Sequence, residues 1–424
     1  MANPLFTTLV KLRGNPRACV YTEPLWGLSM NLCLPYMSVY MLALGLNDAQ
    51  VGLVASIYMV SQVFFAFFSG PVIDKMGRRF STAFWDFIAW SIPCIIWWRA
   101  ESFLFFAIAA ILNGSMRVTT NSWNCLLIED AEKEHVTSIY SLVIICGQFS
   151  AFFAPIASIL VSRLTLVPAI RILFINAFVL MTLKVFVLYF ISKETRVGLV
   201  RLEESRGKNI FQLAGGYGAV IKLMLRSRPT IFAVIILILI SIVALINTTF
   251  WQVIVSRKLL VPDPLLPLFP IIRSVLSIFF LFFIMPRLKS NILKNPFLLG
   301  FACYIIGQVI LILVPVEGTA KYILLSISLI FDGFGFGALT TLSESLLALN
   351  VSARERARVM AIVHMVAMAV TSPFGWIGGL LSEMSRDFPF VLNIGLLVLG
   401  IAVILVYYNK KSINENESTG KIIR

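Results

Sequence analysis

The chain has 424 residues, of which 59% are hydrophobic and 13% charged, with a mean hydropathy of +0.90. Soluble domains carry about 25% charged residues, so this composition excludes a water-soluble globule and makes the bilayer the relevant solvent. The formal charge of +14 suggests nucleic acid, but most Lys and Arg residues sit in short connectors between apolar runs, where the positive-inside rule places them, so no nucleic-acid partner is expected.

In chain order, residues 1–24 contain one short apolar stretch, Leu5 to Val10, before Lys11, Arg13 and Arg17. That is too little for the core of a cleavable signal, and the first span is expected to act as the insertion signal. Apolar runs bounded by charge, Pro and Gly predict spans at 25–46, 49–70, 80–98, 102–128, 137–161, 169–191, 229–254, 265–285, 296–315, 321–349, 358–381 and 388–408. Backbone groups in hydrocarbon must pair within their own segment, so the spans are helices. The expected fold is all-α and integral to the membrane. Its twelve transmembrane helices form two parallel six-helix bundles, 25–191 and 229–408, related by a pseudo-twofold axis.

With a cytoplasmic N-terminus, the connectors on that side hold 25 of the 35 Lys and Arg residues and the opposite side seven, so both termini and the 409–424 tail are expected in the cytoplasm, at the cell membrane. The 192–228 connector carries eight cations against Glu194, Glu203 and Glu204 and reads as a basic cytoplasmic linker. Its stretch Ile210 to Leu225 suits either an amphipathic helix on anionic lipid or a solvated loop. The six cysteines are scattered without metal or disulfide spacing and read as small packing residues.

The two halves share a repeat. At an offset of 221 residues Gly114, Thr119, Thr120, Ser122, Leu126 and Glu134 fall on Gly335, Thr340, Thr341, Ser343, Leu347 and Glu355, which makes spans 4 and 10 counterparts. Parallel halves are one transporter plan, with the solute bound between them near mid-bilayer.

Between spans 2 and 3 stands Gly70-Pro71-Val72-Ile73-Asp74-Lys75-Met76-Gly77-Arg78-Arg79. Gly70 and Gly77 permit close approach and a tight turn, Asp74 suits a helix N-terminus, and Arg78 and Arg79 offer forked donors to carboxylates. This decapeptide resembles motif A of the major facilitator superfamily, G-x-x-x-D-(R/K)-x-G-(R/K)-(R/K). Span count, linker, termini and repeat match that family over residues 20–408. The resemblance implies a latch that bridges the halves in the outward-open state, with Asp74 facing the segment near Ala357 and Arg78 pairing with Glu129 or Asp130. The alternative is that these charges only enforce topology. The equivalent loop of the second half, Met285 to Lys289, keeps basic charge without the Gly and Asp pattern. Ala154-Pro155-Ile156-Ala157-Ser158 is loosely similar to the G-P-x-x-G-G element of the family's drug antiporters, with its glycines replaced.

Polar groups inside hydrocarbon are expensive and mark candidate sites. On span 4, Asn113, Arg117, Thr120, Asn121 and Asn124 share a sector about 100° wide, a stripe that faces water or another polar surface. Further candidates for solute binding are Asn31, Gln62, Asn247, Trp251 and Arg273, on the helices that line the cavity in the resembled family. Asp332, Glu344 and His364 are candidates for proton coupling; for Asp332 a permanent salt bridge to Arg273 or Arg117 stands as an equal alternative. Asp86 and Lys184 fall on outer helices, where snorkelling or latch support is expected.

No ATP-binding loop, metal-ligand cluster or nucleophile with a base at motif spacing is present, so no enzyme activity, cofactor or metal is expected. The expected activity is alternating-access transport of a small organic solute by a monomer in contact with membrane lipids, with protons as the coupling ion. Antiport and export of amphipathic compounds are slightly favoured; organic-anion uptake or exchange, and a non-transporting receptor on the same fold, remain alternatives.

Overall fold

The computed structural model describes residues 9–10, 12–210, 228–272, 275, 294–350 and 356–420. Among these all regular secondary structure is helical, and ten helices are long and apolar enough to cross a bilayer. The first runs from Asp48 to Met76 and the last reaches Asn409. Most of the expected eighth span, the Met285–Lys289 loop and linker residues 211–227 lie outside the described residues.

The first helix departs most from expectation. It starts at Gly14 and runs to Cys33, well ahead of the expected start at 25. Arg17 and Glu23 depress hydropathy there, yet Ala18, Cys19 and Val20 are buried against other helices. A reciprocal pair of hydrogen bonds fastens its beginning: Asn15 Nδ2 donates to the Lys193 carbonyl at 2.9 Å, and the Lys193 N–H donates to Asn15 Oδ1 at 2.8 Å. Pro35 then forces a 3-10 turn, Leu34–Tyr36, before the helix resumes as Met37–Ala43.

Other spans are broken where local chemistry demands it. The expected span 4 is two helices, Phe103–Gly114 and Met116–Ile128, joined by a turn at Ser115. Pro155 and Pro373 restart helices at Ala154–Leu164 and Pro373–Met384. π-helical turns occupy Phe87–Ser91 and Ile254–Lys258; Asn113 Nδ2 donates to the Ala89 carbonyl inside the first at 2.7 Å.

The apolar core is organised differently at the two ends of the bundle. Towards Asp48 a single cluster joins both sequence halves, with Tyr36, Tyr40, Trp97 and Phe174 continuous with Phe250, Trp251, Leu311 and Phe390. Towards Gly77 the described residues form two separate clusters. One, around Cys19, Leu126 and Leu188, contains N-terminal helices only; the other, around Phe232, Phe297, Leu346 and Val359, contains C-terminal helices only.

The joined end is sealed by backbone. A Cβ added at Gly52 would lie 2.2 Å from the Gly375 carbonyl oxygen, one at Gly379 would lie 2.6 Å from the Asp48 carbonyl oxygen, and one at Gly375 would lie 2.8 Å from the Gly52 carbonyl oxygen. Only glycine permits the Asp48–Met76 and Pro373–Met384 helices to approach so closely. Polar contacts surround the seam. Ser382 donates its hydroxyl to Asp48 Oδ2 at 2.5 Å, the Trp376 N–H donates to Ser56 Oγ at 2.8 Å, and Arg386 lies 3.7 Å from Asp48 Oδ1.

Candidate functional site

Between the helix groups lie two adjoining chambers that share Met59, Leu245 and Thr248. The chamber nearer the sealed end, about 410 Å³, has a mainly apolar and aromatic wall that includes Tyr58, Trp90, Trp97 and Phe106, with Asn31, Ser38, Asn113, Thr248, Thr249 and Gln252 as polar exceptions. The other, about 330 Å³, brings Arg117, Glu344 and His364 to one wall system with the hydroxyls of Ser241, Thr248 and Thr340. A third, shallow depression of about 630 Å³ around Asp48, Arg257, Glu383 and Arg386 caps the sealed end.

Helix periodicity brings Arg117 to the chamber, and its neighbours hold it there. Arg117 Nε donates to Gln62 Oε1 at 2.6 Å, so the buried amide orients the guanidinium. Among the described residues no carboxylate lies within salt-bridge distance of it. The rest of the stripe spreads along the helix. Asn113 borders the aromatic chamber while repairing the π-turn, Thr120 bonds back to the Met116 carbonyl, Asn121 Nδ2 donates to Ser69 Oγ at 2.8 Å, and Asn124 is half-buried. Asn31 Nδ2 donates to the Gly27 carbonyl at 2.8 Å and borders the aromatic chamber.

The C-terminal candidates divide. Glu344 and His364 line the Arg117 chamber. Asp332 instead lies in a buried network: Asn247 Nδ2 donates to Oδ2 at 3.1 Å and Gln308 Nε2 donates to Oδ1. Asn393 Nδ2 donates to Gln308 Oε1 at 2.9 Å and to Asn247 Oδ1 at 3.2 Å, so four helices are tied together. Trp251 packs edge-on against Phe269 beside a void of about 20 Å³ next to Asn247. Arg273 lies outside the described residues.

At the Gly77 end the decapeptide loop is built as a nest around charge. Arg78 Nη1 lies 3.0 Å from Asp74 Oδ1 and Arg78 Nε 3.3 Å from Glu129 Oε1. Arg79 donates to the Tyr189 carbonyl at 2.9 Å and stacks over the Tyr189 ring. Asp74 sits in the last turn of the Asp48–Met76 helix, and the anion at the following helix N-terminus is Glu194. Its Oε1 accepts the Arg78 N–H at 2.8 Å and its Oε2 the Arg79 N–H at 3.0 Å, where the helix dipole favours negative charge. Gly77 turns with φ +80°, and a Cβ there would lie 2.7 Å from Glu194 Oε2. Close approach therefore belongs to Gly77; a Cβ on Gly70 meets nothing within 4 Å. The side chains near Ala357 lie outside the description.

The linker begins in the same nest. Thr195 caps the Arg196–Glu204 helix by accepting the Gly198 N–H at 2.9 Å and donates its hydroxyl to Glu129 Oε2; the Arg196 N–H donates to Asp130 Oδ1 at 3.3 Å. Ser205 Oγ donates to the Asp74 carbonyl at 2.9 Å. From the sequence Glu194 and Thr195 read only as part of a basic connector. Their position immediately after an expected span, on the same side as the decapeptide, was the available signal.

A family model described as Major Facilitator Superfamily matches residues 25–314. Among solved structures, a mutant of the nucleoside transporter NupG superposes with TM-score 0.75 at 17% identity, covering 92% of this chain and 99% of that one. A mutant of the peptide transporter POT gives 0.70 at 14% identity over 96% and 99%. A bacterial metal transporter gives 0.67 at 12% identity over 94% and 99%. At such identities the likeness concerns the fold alone. A search of curated proteins finds no sequence match.

Proposed function

The chain belongs to the Major Facilitator Superfamily, a family of transporters rather than enzymes, and on that premise we propose that it is a secondary transporter working by alternating access on a small amphipathic organic anion. Twelve spans in two six-helix halves, with both termini cytoplasmic, complete this reading. The observation that carries it is Arg117, held at the chamber wall by Gln62 with no described carboxylate partner. A guanidinium so placed is a forked donor awaiting an acceptor, and a carboxylate or phosphate supplies both geometry and charge. The adjoining aromatic chamber offers space for an apolar body. Glu344 and His364 face the same space as Arg117 and are the cavity-side carriers for a coupling proton, while Asp332 ties the C-terminal helices together.

With the cationic connectors inside, the sealed Asp48 end faces out. Uptake or exchange of the anion is the favoured direction. Export of amphipathic compounds, the second reading, is supported by the apolar character of the Asn31 chamber.

The test is flux in proteoliposomes for a panel of aryl and alkyl carboxylates, each paired with its neutral amide, with and without a pH gradient. Carboxylates are expected to move and amides not. Arg117→Ala should lose at least about tenfold in apparent affinity, the equivalent of one charged hydrogen bond at about 1.5–3 kcal/mol. Equal handling of acid and amide, or Arg117→Ala transporting as wild type, would overturn the anion assignment. Binding without flux would turn the reading towards a receptor.

A further inference from the structure

Away from the cavity, three charged side chains from three helices share one dry space. Glu23 comes from the Gly14–Cys33 helix, Asp86 from the Arg78–Asp86 helix and Lys184 from the Leu166–Ile191 helix. Their exposures are 9%, 1% and 4%. Lys184 Nζ lies 3.1 Å from Asp86 Oδ2, and Glu23 is within electrostatic reach of both. Among the described residues no hydrogen-bond donor outside this cluster reaches either oxygen of Asp86, so that carboxylate depends on Lys184. The titratable groups facing Glu23 are Cys19 on its own helix, Asp86, Lys184, and Cys146 on the Val136–Ser150 helix.

The charge count does not close. Two carboxylates face one ammonium, and burying an uncompensated charge is among the most destabilising things a fold can do. One proton removes the imbalance. Lys184 is already committed by geometry to Asp86, which leaves Glu23 as the group that takes it. We propose that Glu23, Asp86 and Lys184 form a proton-binding site, separate from the solute cavity, in which one proton resides on Glu23 while Lys184 pairs with Asp86.

The exchange is a simple protonation. A proton from water forms the O–H bond of the Glu23 carboxyl and returns to water when that bond breaks. When it leaves, two carboxylates compete for one ammonium, and the pull on Lys184 is divided between the Arg78–Asp86 helix and the Gly14–Cys33 helix. Pro24 follows directly and removes a backbone donor from that helix, a natural point for it to bend. Two turns further on, the same helix carries Asn31 at the cavity wall. Proton occupancy at Glu23 is thereby linked to the position of a cavity-lining helix.

Infrared titration of the purified full-length protein tests the site, because a protonated carboxyl absorbs apart from a carboxylate. Wild type is expected to show a protonated-carboxyl band that persists at neutral pH, is lost as pH rises further, and is absent from Glu23→Gln. Asp86→Asn leaves one acid for one ammonium, so Glu23 ionises and the band is lost there too. Thermal stability gives an independent readout. A proton held by the folded chain, but released by unfolded glutamate above about pH 4.3, makes stability fall as pH rises. The melting temperature of wild type should therefore decline relative to Glu23→Gln from about pH 4.3 up to the pH at which the carboxyl band is lost. Identical bands in wild type and Glu23→Gln, or parallel stability profiles, would overturn the proposal. Should Glu23→Gln not fold, a band retained in Asp86→Asn would do the same.

Discussion

The two ends of the bundle are closed and held by different chemistry. At the Asp48 end, backbone meets backbone across Gly52, Gly375 and Gly379, and one apolar core runs through both groups of helices. At the Gly77 end the cores are separate, and the described ion pairs of the decapeptide loop stay among N-terminal helices and the start of the linker. A glycine seam has no side chain to rearrange, so it is either seated or parted. Charged groups can exchange partners, so a nest of ion pairs can hold more than one arrangement. The contrast suits an element that alternates, with one end mated by backbone and the other held by exchangeable charge.

The largest effect is expected from breaking the mated end. Gly52→Leu places a Cβ where backbone oxygen already stands, and neither partner can yield by a rotamer change. The sealed population should drop by at least about 100-fold. Spin labels at Glu101 and Met384 would report a longer distance; an unchanged distribution would mean that the seam follows closure rather than determining it.

The Gly77 end is tested next by Arg78→Ala, which takes the cation from Glu129 and Asp74. Removing one partner of a buried pair costs about 3–5 kcal/mol, and the lower end applies because Asp74 is about a third exposed. Denaturant unfolding would measure the loss, while the Glu101–Met384 distance stays as in wild type. A loss at both ends would dissolve the distinction between them.

Glu194→Ala should cost less, about 0.5–2 kcal/mol, the usual worth of a helix N-terminal acceptor. Hydrogen exchange is expected to speed up at the Arg78 and Arg79 amides and through Arg196–Glu204, since the linker helix docks through the same nest. Exchange confined to the two amides would show that the helix docks by itself.

The smallest effect belongs to Asp48→Asn. Asparagine still accepts from Ser382, and the Arg386 contact at 3.7 Å is partly exposed, so the change should stay below about 1 kcal/mol and shrink with salt. A larger loss would show that charge, and not the glycine seam, secures the mated end.

Legibility from sequence followed the range of each interaction. Spans and the decapeptide could be read because hydropathy and turn chemistry are local. Arg117 could be read because periodicity puts it on a polar stripe, but its partner Gln62, itself singled out, could not be assigned to it without the packing of two helices. The Gly52–Gly375 contact joins residues more than 300 positions apart, and nothing near either glycine announces it. Glu194 was hidden in the same way, 116 residues from Arg78. The start of the first helix was missed for a different reason: hydropathy penalises Arg17 and Glu23, whereas the fold buries their neighbours and Glu23 itself.

The π-turn at Phe87–Ser91 sets a phase. Such a turn amounts to one extra residue in an α-helix, and one residue is worth about 100° of rotation. Downstream, the helix orientation is fixed by buried Cys94 and by Trp97 against Phe174; upstream, it aims Asp86 at Lys184. The two aims agree only because the extra residue lies between them. Deleting Ala89 would let the helix wind uniformly and swing Asp86 about a quarter turn off Lys184, leaving the ammonium to Glu23 alone and the Asn113 amide with no carbonyl to meet. A helix that looks continuous by hydropathy thus works as two cams on one shaft, and the offset between them is written in a single residue.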